Sequence, residues 1–449
     1  MKREAPRVMF AAPRSGSGKT LVVCGVMQAL VNRGLEVTSF KTGPDFIDPM
    51  FHSRVIGAKS RNLDGFMAGK DGVRDVFARH ASSMGVSVLE GVMGFYDGLG
   101  GDDLEASSYR LSEDLGLPVV LVVDCGGAST TVAAVVKGMK TFRKNDIRAV
   151  VLNRISERIY PEVKAVIEKE AGVEVLGRLP KVPELVIESR NLGLMMPSEI
   201  EDIRDRLSKL AEVVEENIDL DRILDIAASA GPVDAPPEAM GGGQRVRVAV
   251  ASDEAFCFIY PDNVELLESL GAEIVYFSPM VNPSLPDGVR GLVLPGGYPD
   301  LHMEKLSANV SLREDILGKL SSGMPCLAED GGFMYLNKTM GEGRVPMVGF
   351  LDGHCFPTDR LVRFGYLTLE PGDGCRYIGD GEGVNGHEFH YWDCSENGDS
   401  CVALKARRGE RHCCMVSKGN TLAGWPHLYY PSNPRFAERF LDACREYRA

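Results

Sequence analysis

The sequence has no basic block, no long apolar run and no regular cysteine spacing. Its net charge is −13 over 449 residues, which argues against nucleic acid or an anionic membrane surface as the main partner. No uninterrupted apolar stretch is long enough to span a bilayer. The opening Met1-Lys2-Arg3-Glu4-Ala5-Pro6 runs straight into a strand pattern without a leader signature, and a cytoplasmic location is expected. The eleven cysteines are odd in number and scattered, which points away from a disulfide framework and towards reduced thiols. No internal repeat is visible. What remains is an ordinary globular composition, 25% charged and 44% hydrophobic, in a chain long enough for two or three domains with full cores.

The most informative stretch is Ala11–Thr20, A-A-P-R-S-G-S-G-K-T. It follows the apolar Val8-Met9-Phe10 and precedes Leu21–Val31, so it reads as strand, glycine-rich turn and helix. That arrangement points backbone N–H groups and a positive helix end at a phosphate. Ser15, Gly16, Ser17 and Gly18 would form the cradle, Lys19 would reach the β/γ-phosphates of ATP, and the Thr20 hydroxyl would face Mg²⁺. The usual pattern has glycine five residues before Gly18, where this chain has Pro13. A lone G-S-G-K-T can also be a simple turn, so its surroundings must decide.

Those surroundings alternate strands and helices. Val37–Lys41, Val86–Glu90, Pro118–Asp124 and Ala149–Asn153 read as buried strands, with helices near Val73–Met84, Glu105–Leu115 and Thr130–Lys140. Continuous apolar strands joined by helices predict a parallel sheet covered on both faces. Ligands in such sheets bind beyond the carboxyl ends of the strands, where the sequence supplies Lys41, Asp45, Asp48, Glu90, Asp97, Asp124 and Asn153. Glu184–Leu194 reads as a loop and Pro197–Ile226 as mostly helical. Ala227–Gln244, rich in Ala, Pro and Gly, reads as a linker. The pattern then restarts with strands at Arg245–Ala251, Glu273–Phe277, Gly291–Leu294 and Met324–Ala328, a helix at Asn263–Leu270 and a closing helix at Asn433–Tyr447. The expected organisation is α/β throughout: a nucleotide-binding domain over 1–227, a linker over 228–244 and a second domain over 245–449.

K-T-G-P-D-F-I-D-P and E-G-V-M-G-F-Y-D-G bring carboxylates from two strand ends beside the phosphate loop. Thr20, Asp45 and Glu90 are the candidate Mg²⁺ ligands, since a hard cation takes oxygen donors. Taken singly, each acid is as readily a solvated loop residue. Taken together with N-L-D-G-F-M, A-F-C-F-I-Y-P-D-N, L-P-G-G-Y-P-D, G-F-M-Y-L and G-H-E-F-H-Y, these stretches resemble the cobyrinic acid a,c-diamide synthase family over nearly the whole chain. The resemblance implies an ATP-dependent amide-forming domain, similar to dethiobiotin synthetase, joined to a class I glutamine amidotransferase domain. It implies a tetrapyrrole substrate of corrinoid or sirohydrochlorin type, a nitrogen donor that is glutamine or ammonia, and ATP with Mg²⁺. It casts Lys41, Asp48 and Asp97 in catalytic or substrate-positioning roles and Asn153 in nucleotide binding; a homodimer is left open.

The second domain departs from that pattern. The family carries A-E-C-G-G at a sharp strand-to-helix turn, whose thiolate attacks the glutamine amide. Here the stretch is A-E-D-G-G, with Asp330 at the nucleophile position, while His427 occupies the partner position. An aspartate would form an anhydride, a much poorer intermediate than a thioester, so the glutaminase half is expected to be impaired and His427 to pair with Asp330. Cys326 lies roughly 13 Å upstream along its strand, too far to stand in. Cys257 accompanies the nucleophile in the family and is expected, like Cys326, to be a buried core residue. His387, His390 and Cys394, with His412, Cys413 and Cys414, have a zinc-like spacing, but the stretch reads as a strand, where residues three apart face opposite ways. Ile159, Asn191 and Asn385 replace residues expected in the family and leave the identity of the tetrapyrrole open. Three classes of function follow: a tetrapyrrole amidoligase, a silent tetrapyrrole-binding homologue, and a nucleotide switch like the partition ATPases. The last is disfavoured by Pro13 and Arg14, where those proteins carry a second lysine, and by the second domain itself.

Overall fold

The computed structural model describes residues 2–181, 189–190, 193–194, 203–234, 245–407 and 409–448. The chain divides into two compact units, Met1–Pro237 and Glu238–Ala449. In the first, seven parallel strands run in the order Lys59–Leu63, Val37–Thr42, Val86–Glu90, Arg7–Ala11, Val119–Asp124, Ile147–Asn153, Glu174–Leu179. The inner strands are buried along nearly their whole length, as apolar runs such as V-M-F-A and V-V-L-V-V require when helices cover both faces, and Val37–Thr42 is buried although it carries Thr, Ser and Lys. Each fully buried Val, Leu or Phe contributes about 1.5–3 kcal/mol, so the apolar runs settle the sheet before any polar residue is considered.

Register does the positioning. Phe10 pairs with Glu90, Glu90 with Lys41, and Lys41 with Asn62. The sequence reading missed the edge strand Lys59–Leu63, because K-S-R-N-L has no alternating or apolar pattern, and also the helix Tyr160–Ala171 and the strand Glu174–Leu179. The helix expected near Val73–Met84 starts earlier, at Gly65, because the Asp64 side chain caps it by accepting from Phe66 N and Met67 N. The stretch expected to be mostly helical holds Ile203–Asn217 and Leu220–Ala228. The expected loop Glu184–Leu194 lies largely outside the described residues, of which Ser189–Arg190 and Gly193–Leu194 pair antiparallel. Leu220–Ala228 runs into the start of the Ala/Pro/Gly-rich stretch, and Val233–Asp234 pairs with Lys2–Arg3.

The second unit carries a six-stranded sheet, Ala272–Phe277, Val246–Ala251, Gly291–Leu294, Cys326–Glu329, Thr421–Gly424, Val416–Lys418, parallel except for its last strand. An antiparallel sheet, Arg411–Cys414, Cys401–Lys405, Arg363–Pro371, Val384–His390, His427–Leu428, accompanies it. Among the described residues no helix is long and apolar enough to cross a membrane.

Candidate active site

The phosphate-loop sequence leaves the central strand Arg7–Ala11 and enters the helix Lys19–Asn32. Gly18 is the N-cap in the left-handed region, with no side-chain cap, so the first-turn N–H groups are not closed off by a side chain. A side chain at Gly18 is also excluded by contact: a Cβ there would lie 2.1 Å from Asn153 Nδ2. Asn153, placed by its strand register beside Asp124, donates Nδ2 to Ser17 O at 2.9 Å, and Ser17 Oγ donates to Arg14 O at 2.8 Å. Asn153 therefore meets the loop from beneath, while Ser15 and Gly16 are exposed. An uncapped helix end, a loop braced from below and an open outer face fit a nucleotide phosphate.

Lys19 is buried and donates to Met93 O at 2.7 Å. Met93 has φ +46°, a left-handed backbone, and turns its carbonyl to the lysine; nothing in the sequence signalled this partner. Burial first, and then the neighbouring Lys41, bring the Lys19 ammonium down to about 8. Beside it, Thr20 Oγ1 donates to Glu90 Oε1 at 2.6 Å, and Lys41 Nζ donates to the same oxygen at 2.9 Å. Lys41 also meets Asp48 at 2.5 Å. Burial alone would lower the Lys41 pKa, but Asp48, Glu90 and Asp45 together raise it, so a buried cation is held by buried anions. Asp45 enters through Asp48 and Lys41. Its Oδ1 accepts from Ile47 N at 2.9 Å, and burial followed by the Asp48 charge raises its pKa well above the usual range. Burial would also raise Asp48, yet Lys41 and its other partners bring it below that range. Burial and the Asp48 charge thus favour the neutral form of Asp45, while Lys41 favours the charged form of Asp48. Thr20 Oγ1 and Glu90 Oε1 already present two oxygens together, and the Asp45 carboxyl is a third in the same cluster. This donor set fits Mg²⁺.

Asn62, on the edge strand, braces the acidic turn by donating Nδ2 to Gly43 O at 2.8 Å and Asp45 O at 2.7 Å. Asp97 stands apart from the buried cluster. It is exposed, accepts from Gly94 N at 2.8 Å and acts on Lys19 through its charge. His52 and Ser39 complete the cluster and carried no role in the sequence reading. The ring is fully buried, with Nδ1 2.9 Å from Ser39 Oγ.

In the second unit the strand Cys326–Glu329 turns into the helix Gly331–Leu336 at Asp330, whose φ is +46° and ψ −105°. The turn is closed by Asp330 N donating to Gly424 O at 2.8 Å and Met334 N donating to Asp330 O at 2.9 Å. Close packing requires Gly332, where a Cβ would lie 2.0 Å from Leu294 O. The Asp330 carboxyl is held by the N–H groups of Gly331 and Gly297, and burial outweighs them and lifts it to about 7. His427 Nε2 lies 3.8 Å from Asp330 Oδ2, beyond hydrogen-bond length. Burial, with His387 and His390 nearby, drives His427 well below its ordinary value. The two side chains face each other at ion-pair distance, as expected, while burial opposes the charged state of both. Glu329, missed by the sequence reading, accepts from Tyr430 Oη at 3.0 Å and Leu428 N at 3.2 Å, and burial lifts it to about 8. Cys326 is buried with its thiol pushed up, and Cys257 is buried in the segment whose N–H meets Gly296 O at 3.0 Å.

The histidines with zinc-like spacing have other partners. His387 stacks on His427 at 4.9 Å and its Nδ1 lies 3.2 Å from Tyr260 Oη. His390 stacks on Trp425 at 4.3 Å and its Nδ1 lies 2.6 Å from Trp392 O. His412 faces Glu388 at 3.4 Å, Cys394 lies against Asn337 at 3.7 Å, Cys413 is exposed and Cys414 is buried.

Comparison with known proteins agrees with this division. Residues 8–193 match the CobQ/CobB/MinD/ParA nucleotide binding domain, and residues 247–434 match the CobB/CobQ-like glutamine amidotransferase domain. A Clostridium tetani protein named cobyrinate a,c-diamide synthase is 38% identical, over 97% of this chain and 99% of its own. Proteins of the same name from Thermoplasma volcanium and Methanosarcina acetivorans are 38% and 37% identical, each over 99% of this chain and over 98% and 96% of their own lengths. The chain belongs to the cobyrinate a,c-diamide synthase family. As a cobyrinate a,c-diamide synthase family member it has both halves of the architecture, the phosphate-loop cluster in one unit and the strained elbow in the other.

Proposed function

We propose that this chain is a carbon–nitrogen ligase that uses ATP to amidate acetate carboxylates on a tetrapyrrole, cobyrinate first among them. The observation that carries the reading is the row Lys41, Glu90 and Thr20: strand register sets Lys41 against Glu90, and the uncapped helix that starts at Lys19 brings Thr20 to the same carboxylate. The relatives' shared name supports the substrate. Residues 1–227 would form the ligase domain, 228–244 the linker and 245–449 the amidotransferase-like domain, in a cytoplasmic enzyme.

A carboxylate does not accept ammonia at neutral pH because hydroxide is a poor leaving group. A substrate carboxylate oxygen attacks the γ-phosphorus of ATP, ADP departs, and an acyl phosphate results. Ammonia then attacks the acyl carbon, inorganic phosphate leaves, and the nitrogen loses one proton. Lys19 lies where it can balance charge on the moving phosphoryl group, and Lys41 stays cationic because Asp48 and Glu90 hold it. Mg²⁺ supplies charge neutralisation at the phosphates when bound, and Thr20, Glu90 and Asp45 would hold it. Asp97, exposed at the rim, suits the substrate or the ammonia proton. Asp330 stands where the family pattern has cysteine, so ammonia rather than glutamine is the donor. The test is ATP turnover with cobyrinate, and separately with sirohydrochlorin, its nickel chelate and sirohaem, each with ammonium or glutamine. Ammonium-dependent formation of the a,c-diamide is expected. Absorbance shifts without turnover on any macrocycle would instead identify a silent tetrapyrrole-binding homologue.

A further inference from the structure

His52 follows the helix Ile47–Phe51 and opens the turn His52–Ile56. Its backbone is pinned at both ends: the N–H donates to Asp48 O and Pro49 O, and the carbonyl accepts from Ala58 N at 3.1 Å. The ring is therefore held at a set depth, with none of its surface exposed. Ser39 lies two residues before Lys41 and so points to the same face of the strand Val37–Thr42. Its hydroxyl lies 2.9 Å from His52 Nδ1. On the far side of the ring, Nε2 stands 3.6 Å from Glu90 Oε2. Both atoms are buried, and neither has a hydrogen-bond partner among the described residues. Two facing polar atoms, each left over at the centre of a dense cluster, are one small adjustment away from a bond, and leaving a buried polar atom unmade costs about 1–3 kcal/mol.

The chemistry of the two atoms sets the direction. A carboxylate oxygen only accepts. The ring proton therefore belongs on Nε2, and Nδ1 accepts from the Ser39 hydroxyl. The other Glu90 oxygen, Oε1, already takes donors from Thr20 and Lys41. We propose that His52 is a positioning residue for Glu90, holding Oε2 through Nε2–H so that Oε1 stays beside the Thr20 hydroxyl. Partners of this kind orient metal-binding carboxylates, and their loss typically costs about 10–100-fold in metal affinity. The inference rests on the reading of Thr20 and Glu90 as the pair that faces the cation.

The test uses the full chain, Mn²⁺ as the probe and a non-hydrolysable ATP analogue, with bound Mn²⁺ read by electron paramagnetic resonance. Glu90→Gln checks the underlying reading, and His52→Asn and His52→Gln separate positioning from packing. The Gln amide nitrogen reaches as far from the backbone as Nε2, while the Asn amide reaches only as far as Nδ1. Expected are about tenfold weaker Mn²⁺ binding in His52→Asn, affinity restored to within about twofold of the parent in His52→Gln, and metal-free analogue binding unchanged in both. Equal losses in the two His52 variants would make the ring a packing element and overturn the proposal. Parent-like Mn²⁺ binding in His52→Asn alongside a loss in Glu90→Gln would also overturn it while leaving the cation reading intact. Parent-like binding in Glu90→Gln would remove the cation reading itself, and this proposal with it. If His52→Asn does not fold, Ser39→Ala keeps the ring and frees Nδ1. About threefold weaker Mn²⁺ binding is then expected, and parent-like affinity would overturn the proposal.

Discussion

At the scale of single residues, two buried lysines give different experiments. Removing Lys41 strands the Asp48 and Glu90 carboxylates, and an uncompensated buried charge costs about 3–5 kcal/mol. Lys41→Met is therefore expected to lose stability along with activity, and it diagnoses little. Lys19→Ala is the sharper variant: ATP turnover should vanish while urea unfolding stays close to the parent. Lys19 titrates near 8, chiefly through burial and then Lys41, and its cationic form is the one that binds phosphate. Affinity for the ATP analogue should therefore hold below about pH 8 and fall above it, and Lys19→Arg should flatten that fall across the same titration. Asp330 calls for a stability measurement. Its folded pKa, about 7, lies above the unfolded carboxyl value of 3.8. Between those values the folded state binds more protons than the unfolded one, so stability present at low pH is lost as pH rises. Asp330→Asn keeps an acceptor for Gly331 and Gly297 and removes the charge. Its melting temperature should exceed the parent's by a margin that grows from pH 5 to pH 8; a constant margin would show that Asp330 does not titrate in that window.

At the scale of elements, the acidic turn Lys41–Pro49 depends on a strand that the sequence does not advertise. Lys59–Leu63 supplies Asn62, whose amide spans Gly43 O and Asp45 O. Asn62→Ala leaves those buried carbonyls without that donor, at about 1–3 kcal/mol. The expected outcome is a raised Mg²⁺ requirement for turnover with little change in far-UV circular dichroism, because the turn loosens while the sheet persists. The strand was not legible because edge strands need not be apolar, and its pairing with Val37–Thr42 involves residues far apart in local pattern. The central strands were legible for the opposite reason: burial on both faces writes itself as an unbroken apolar run. In the second unit, A-E-D-G-G was readable as a strand-to-helix elbow through its resemblance to the family's A-E-C-G-G, and the structure adds the reason for Gly332, which lets the Leu294 carbonyl approach. The pair of N–H donors on Asp330 was not readable, since Gly297 arrives from a separate loop.

At the scale of the whole chain, one nitrogen-donor experiment joins the two units. With ammonium the chain should form amide. With glutamine as the sole donor, amide formation and glutamate release should both stay at background, because a carboxylate at the elbow offers neither a soft nucleophile nor a thioester. Asp330→Cys should restore glutamate release. Robust release by the unmodified chain would sink the argument and move attention to Cys257 and Cys326, both buried.

The sequence by itself determined the phosphate loop, the parallel sheet, the two-unit organisation and the family, because apolar runs and glycine-bounded motifs are local constraints that survive in the order of residues. It also named the main polar residues of the cluster, Lys41, Asp45, Asp48 and Glu90. Only the tertiary structure decided what those residues do to one another. Strand register set Lys41 against Glu90, the helix Ile47–Phe51 carried Asp48 to the same lysine and led into His52 beside Ser39 and Glu90, and the fold set Asp330 and His427 facing each other as two groups that burial drives towards neutrality. Charge states and hydrogen-bond partners depend on distances of a few ångströms between distant segments and on how much water is excluded between them. Neither quantity is written in the order of residues along the chain.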